Sequence, residues 1–113
     1  MALSRAQLST VNVVSAGNTS AVATVADNKK IFVKSIMAHN KSGIVTATAQ
    51  VYIVPNGGSV SESTRMFNVT VDANETVFIE PAYPITIAAT GDAIHCGAAS
   101  TSINFFITGD KEA

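Results

Sequence analysis

The segment Ile44–Pro55 reads IVTATAQVYIVP, and its apolar and polar residues alternate almost without a break. Val45, Ala47, Ala49, Val51 and Ile53 share one parity, while Thr46, Thr48 and Gln50 share the other. A period of two over this length is the mark of a β-strand with one buried face and one wet face. Shorter runs of the same kind recur on both sides of it, and no stretch carries a helical period. The chain therefore reads as all-β.

Immediately upstream, Ile31–Asn40 reads as a central strand. Its alternation starts with Ile31 and Val33 and resumes with Ile36 and Ala38, so the parity switch at Lys34-Ser35 predicts a β-bulge. Asp27-Asn28-Lys29-Lys30 has turn chemistry, and Asn40-Lys41-Ser42-Gly43 reads as a hairpin connection into the Ile44–Val54 strand. Downstream, Pro55-Asn56-Gly57-Gly58 stops that strand, because proline cannot donate to a ladder. Phe67, Val69 and Val71 pattern the next strand, then Val77 and Ile79, Ile85-Thr86-Ile87, Ile94 to Ala98, and Ile103 to Ile107. The rigid Pro81–Pro84 step reads as a crossing between sheets. Eight or nine short strands at this spacing predict a single-domain antiparallel β-sandwich. A jelly-roll-like order is preferred to an immunoglobulin-type one, since the chain has no Trp and one Cys. The expected core holds Val45, Val51, Ile53, Phe67, Val69, Ile94, Ile103 and Phe105.

A length of 113 residues suits one domain. Residues 18–113 read as the sandwich, and residues 1–17 as an N-terminal arm or an edge strand. That first segment lacks the bulk to anchor itself in a core. Yet Leu3, Leu8, Val11, Val13 and Val14 are too many for a plain solvated tail, which fits an arm added to a neighbour's sheet edge.

Hydrophobic residues make up 47% of the chain and charged ones 13%, about half the usual charged share. Such a surface suits a protein packed among neighbours. The net charge is −1 and the basic residues are scattered, with Lys29-Lys30 and Lys34 the densest group. Nucleic-acid binding needs a basic stripe with aromatic platforms, so no nucleic-acid partner is expected. No apolar run approaches the ~20 residues of a membrane span, so no membrane partner is expected either. The N-terminus lacks the apolar stretch of a signal peptide, which points to synthesis in a cytoplasm. Asn18, Asn40, Asn68 and Asn74 match the glycosylation sequon but read as turn and strand-end residues.

His95 and Cys96 invite a nucleophile-and-base reading, but adjacent strand residues point to opposite faces. Cys96 shares the parity of Ile94 and Ala98 and reads as a small core residue. Two His, one Cys and scattered acids give no metal-ligand spacing, and Gly57-Gly58 lacks the Lys-Ser/Thr of a phosphate loop. No enzyme activity, cofactor or metal is expected. The aromatic residues say more: Phe32, Tyr52, Phe78 and Phe106 each sit opposite the core parity of their strand. Together with Leu3, Leu8 and Val11 they form the candidate interface.

Several stretches also carry a resemblance: Lys30–Asn40 (KIFVKSIMAHN), Val51–Gly58 (VYIVPNGG), Ala73–Pro81 (ANETVFIEP), Ile85–Asp92 (ITIAATGD) and Ser102–Glu112 (SINFFITGDKE). In this order the chain resembles small β-sandwich structural proteins of tailed bacteriophages, those of cyanobacterial hosts included. It departs from them at Val25-Ala26-Asp27, where that family often has a Val-Pro step. The resemblance implies a virion component with no enzymatic activity and no cofactor. It points first to a capsid decoration or cement protein that self-associates and binds a major capsid protein. A neck, tail or baseplate adaptor and a carbohydrate-binding host-attachment module are the alternatives.

Overall fold

The computed structural model describes residues 3–26 and 29–112, with the backbone alone for residues 3–6. Asp27-Asn28 of the expected turn lie outside the described residues, as does the Leu3 side chain. The elements are β1 (Leu3–Gln7), β2 (Asn12–Val14), β3 (Thr19–Thr24), β4 (Ile31–Asn40) and β5 (Ala47–Val54). They continue with β6 (Arg65–Val71), β7 (Thr76–Ile79), β8 (Ile85–Ile87), β9 (Ala93–Ala99) and β10 (Ile103–Glu112).

All pairings are antiparallel, in two sheets. In the first, β10 and β4 lie at the centre; β1 and β2 follow one another along the outer side of β10, and β7 and β8 along the outer side of β4. The second runs β3-β9-β5-β6. The ten strands therefore fill eight lanes. Numbered along the chain, the lanes stand in the order 1-8-3-6 in one sheet and 2-7-4-5 in the other. That is the jelly-roll arrangement, in which two Greek keys close a double sheet.

The bulge read from the parity switch in β4 is present. Thr108 faces Ser35 and Gly109 faces Val33, so Lys34 is the extra residue. Gly109 permits the close approach: a Cβ there would run into the Phe32 carbonyl oxygen. Lys34 Nζ then sits 2.7 Å from Asp110 Oδ2. The outer lane breaks at the same level, since β7 pairs with Ile36–His39 and β8 with Ile31–Val33. Pro81–Pro84 lies in that break. Rather than switching sheets, as expected, it interrupts one edge lane, where a missing N–H leaves no central ladder broken.

The lane on the other side is broken too. Between β1 and β2, residues 8–11 stand opposite 106 and 107. Leu8 and Ser9 both donate their backbone N–H to the Ile107 carbonyl, at 2.9 and 3.3 Å, and Ser9 Oγ accepts the Ile107 N–H at 3.0 Å. A buried hydroxyl thus stands in for a backbone acceptor where the lane kinks. Residues 3–7 and 12–14 pair with β10 of their own chain, so the segment expected as an arm or edge strand forms the first lane here.

Two local expectations need correction around Asn40. Residues 40–43 do not make a hairpin, because β4 and β5 lie in different sheets. Moreover, β5 begins at Ala47: Ile44 is 92% exposed and Val45 38% exposed, so Val45 is no core residue. The cause is the fully buried Asn40 side chain. Its Nδ2 donates to the carbonyls of Val45 at 2.7 Å and Val71 at 3.1 Å, and its Oδ1 accepts the Ser42 N–H at 3.0 Å. These bonds hold the crossing segment in place, and the regular alternation through residues 44–46 has no packing counterpart.

Elsewhere the core follows the alternation. Val51, Ile94, Ile103 and Phe105 are buried, as are Ile36, Ile107, Val33 and Cys96, while Ile53, Phe67 and Val69 are partly buried against them. Phe105→Ala should cost about 3–5 kcal/mol, through lost burial and the cavity left behind. Gly109→Ala should cost at least about 1–3 kcal/mol because main chain must shift, whereas Lys34→Ala should cost less than about 1 kcal/mol. Urea denaturation of the three variants checks this order.

Candidate functional site

The first sheet covers the core with one face and turns the other outward. On the outward face, the register places Phe106 beside Met37 and Met37 beside Phe78. One step along, Val13, Asn104, His39 and Thr76 form a second row across four lanes. His39 Nδ1 is hydrogen-bonded to Thr76 Oγ1 at 2.9 Å. Val11, Val13 and Phe78 are 62%, 55% and 57% exposed. None of these residues is a Lys, Arg, Asp or Glu. Between the rows lies a shallow hollow of about 270 Å³, lined by Val11, Met37, His39, Asn104 and Phe106 among others. Asn104 Oδ1 is buried there with no hydrogen-bond partner among the described residues.

Of the seven candidate interface residues, the fold gathers Val11, Phe78 and Phe106 around Met37. Phe32 is half-buried further along the same face, beyond the bulge, opposite Asp110 and Thr86. Leu8 is half-buried against the core and lines a second hollow of about 360 Å³ with Ala23 and Ile31. Leu3 pairs with Glu112 through its backbone, and its side chain lies outside the described residues.

Tyr52 requires correction: it is buried, 7% exposed, on the other sheet. Its cross-strand neighbours are His95 and Arg65, and its hydroxyl donates to Gln50 Oε1 at 3.2 Å. Gly97 explains the burial. A Cβ there would lie 3.0 Å from Gln50 Oε1 and 3.4 Å from Tyr52 Cε1, so both side chains fill space the glycine leaves. Parity gave the correct face for Tyr52, but not the cover supplied by its neighbours. Sequence reasoning missed Met37 and counted Val13 only within the N-terminal segment, though both stand on the outward parity of their own strands. It also missed Ile44 and the loop residue Tyr83, which is 85% exposed between two prolines.

His95 and Cys96 do point to opposite faces and form no nucleophile–base pair. Cys96 is fully buried in the core, and that burial pushes its thiol up to about 12. His95 lies on the outer face opposite Tyr52, and burial there lowers its pKa below the usual value. Among the described residues, no three His, Cys, Asp or Glu side chains come together as a metal-binding group.

No family model and no curated protein matches the chain. Solved structures do. A chain of the crystallised T13 infectious bursal disease virus particle matches at a TM-score of 0.58 and 8% identity, over 97% of this chain and 30% of that one. A chain of the same virus, Gx strain, matches at a TM-score of 0.50 and 10% identity, over 97% of this chain and 31% of that one. This chain thus spans less than a third of the length of those two chains. At such identity the likeness is one of fold alone.

Two outcomes follow from the titratable groups. Cys96 should resist a thiol reagent in the native protein and react at the rate of unfolding, as measured by absorbance in increasing urea. For His95, a folded pKa below the unfolded one means that the unfolded chain binds more protons. Its contribution to stability is whole above the unfolded value of about 6.5 and declines as pH falls below it. Against a His95→Gln variant, the wild type should therefore lose stability between about pH 7 and about pH 5 in thermal melts.

Proposed function

We propose that this chain is a non-enzymatic structural subunit of a virus particle that works by adhesion through the outward face of its first sheet. The observation that carries this reading is the row Phe106, Met37 and Phe78 with Val11 and Val13 beside it. It is an apolar surface without charged side chains on a rigid sheet. Soluble monomers limit contiguous apolar patches, and larger ones mark places where another surface packs. The jelly-roll order supports the same reading, since it is the architecture of viral capsid and lectin domains. So does the fold likeness to chains of infectious bursal disease virus particles.

Within that class, the resemblance to tailed-bacteriophage proteins favours a capsid decoration or cement subunit. Such a subunit bridges neighbouring capsid proteins and itself, so that many weak contacts together oppose the pressure of packaged nucleic acid. A sugar-binding module would present aromatic side chains on loops. Here Tyr83 is the one loop aromatic, and the other Phe and Tyr residues lie on strands.

Sedimentation of the purified chain, with binding to capsids that lack it, tests the proposal. Self-association or capsid binding is expected, and the double variant Met37→Ser, Phe78→Ser should lose it while staying folded. Between about 0.05 M and about 0.5 M salt the association should change little, since few charges are there to screen. A monomer that binds no capsid would refute the proposal, and a steep loss with salt would point to an electrostatic partner instead.

A further inference from the structure

The loop 41–46 presents the most exposed large aliphatic side chain among the described residues, Ile44, on a turn tied by hydrogen bonds. Ser42 Oγ accepts the N–H groups of Ile44 and Val45, at 3.3 and 3.0 Å. The Ser42 carbonyl accepts the Asn74 N–H at 2.9 Å, and Asn40 holds Val45 from below. An isoleucine side chain gains nothing from water, and a loose loop would fold it back onto the protein. Here the hydrogen bonds fix it outward. A side chain held in advance in its docking position loses little freedom on binding.

The hollow on the first sheet has the complementary form. An apolar cavity of about 150 Å³ already admits a benzene molecule, so the hollow of about 270 Å³ has room for one isoleucine side chain. Neither the tip (Gly43, Ile44, Val45, Thr46) nor the lining carries a Lys, Arg, Asp or Glu. Docking therefore leaves no buried charge without a partner, the usual obstacle to such a contact.

Resting on the assembly reading above, we propose that one copy seats Ile44 in the first-sheet hollow of a second copy. Knob and hollow are different surfaces of the same chain: exchanged reciprocally they close a two-fold dimer, and seated one way the contact runs head to tail. The head-to-tail contact builds a ring where the rotation closes and an open chain where it does not.

The test uses the full chain carrying Ile44→Cys in one preparation and Val11→Cys in another. Cys96 is buried and takes no part. Mixed under mild oxidation, the two should give linked dimers about tenfold or more in excess over either alone. Ile44→Asp should keep its melting temperature, since the side chain is exposed, and weaken self-association about thirtyfold. If the wild type associates but Ile44→Asp associates equally, the knob is wrong and the assembly reading stands. The knob is equally wrong if Tyr83→Cys links to Val11→Cys in place of Ile44→Cys. If the wild type stays monomeric at all concentrations, this contact is refuted, and the assembly reading must then rest on capsid binding alone.

Discussion

Strands β4 and β10 lie side by side at the centre of the first sheet, each ten residues long, and the other lanes take their positions from this register. Their inward residues, Val33, Ile36, Ala38, Ile103, Phe105 and Ile107, are fully buried. A slip of one residue would turn all of them to water. The Lys34 bulge and Gly109 allow the alternation to change phase partway without losing the buried face. Both flanking lanes break as well, one at residues 8–11 and the other at 80–84. Long, flat edges invite uncontrolled pairing, and short, kinked ones do not. The register that packs the core also lines up Phe106, Met37 and Phe78 outside.

Asn40 is the second organising point. A buried amide is costly unless satisfied, and here it bonds the crossing loop, the end of β6 at Val71 and the Ser42 N–H. Through the Val71 carbonyl it ties β4 of the first sheet to β6 of the second. The loop that leaves Asn40 carries Ile44, so an interior hydrogen-bond network sets the shape of an exterior feature.

Much of the fold is legible in the residues. Alternation identifies an all-β chain, and one parity switch locates the bulge. Composition favours the jelly-roll order, although it says nothing of which lanes adjoin. Alternation without packing is what misleads. Residues 44–46 continue the pattern of β5 by chance, and the buried Asn40 that holds them outside the sheet has the same letter as an ordinary turn residue. Tyr52 misleads for the converse reason, because its burial depends on Gly97 across the sheet. Pro81–Pro84 marks a break correctly, but a break inside a lane and a switch of sheets look alike in one dimension. The candidate site is half legible. Phe78, Phe106 and Val11 come together, while Met37 at their centre is easily passed over beside the core residues Ile36 and Ala38.

The central claim is that the outward face of the first sheet is the adhesive surface, and the outer face of the second sheet is not. Two methionines allow this to be measured in one sample, because Met37 lies on the first and Met66, 54% exposed, lies at the register shift in edge strand β6 of the second sheet. Hydroxyl-radical oxidation would be followed by mass spectrometry as the protein passes from dilute to assembled, with Phe78 and Phe106 read alongside. The account predicts that oxidation of Met37, Phe78 and Phe106 falls on assembly while Met66 is unchanged. Protection of Met66 with Met37 unaffected would contradict it.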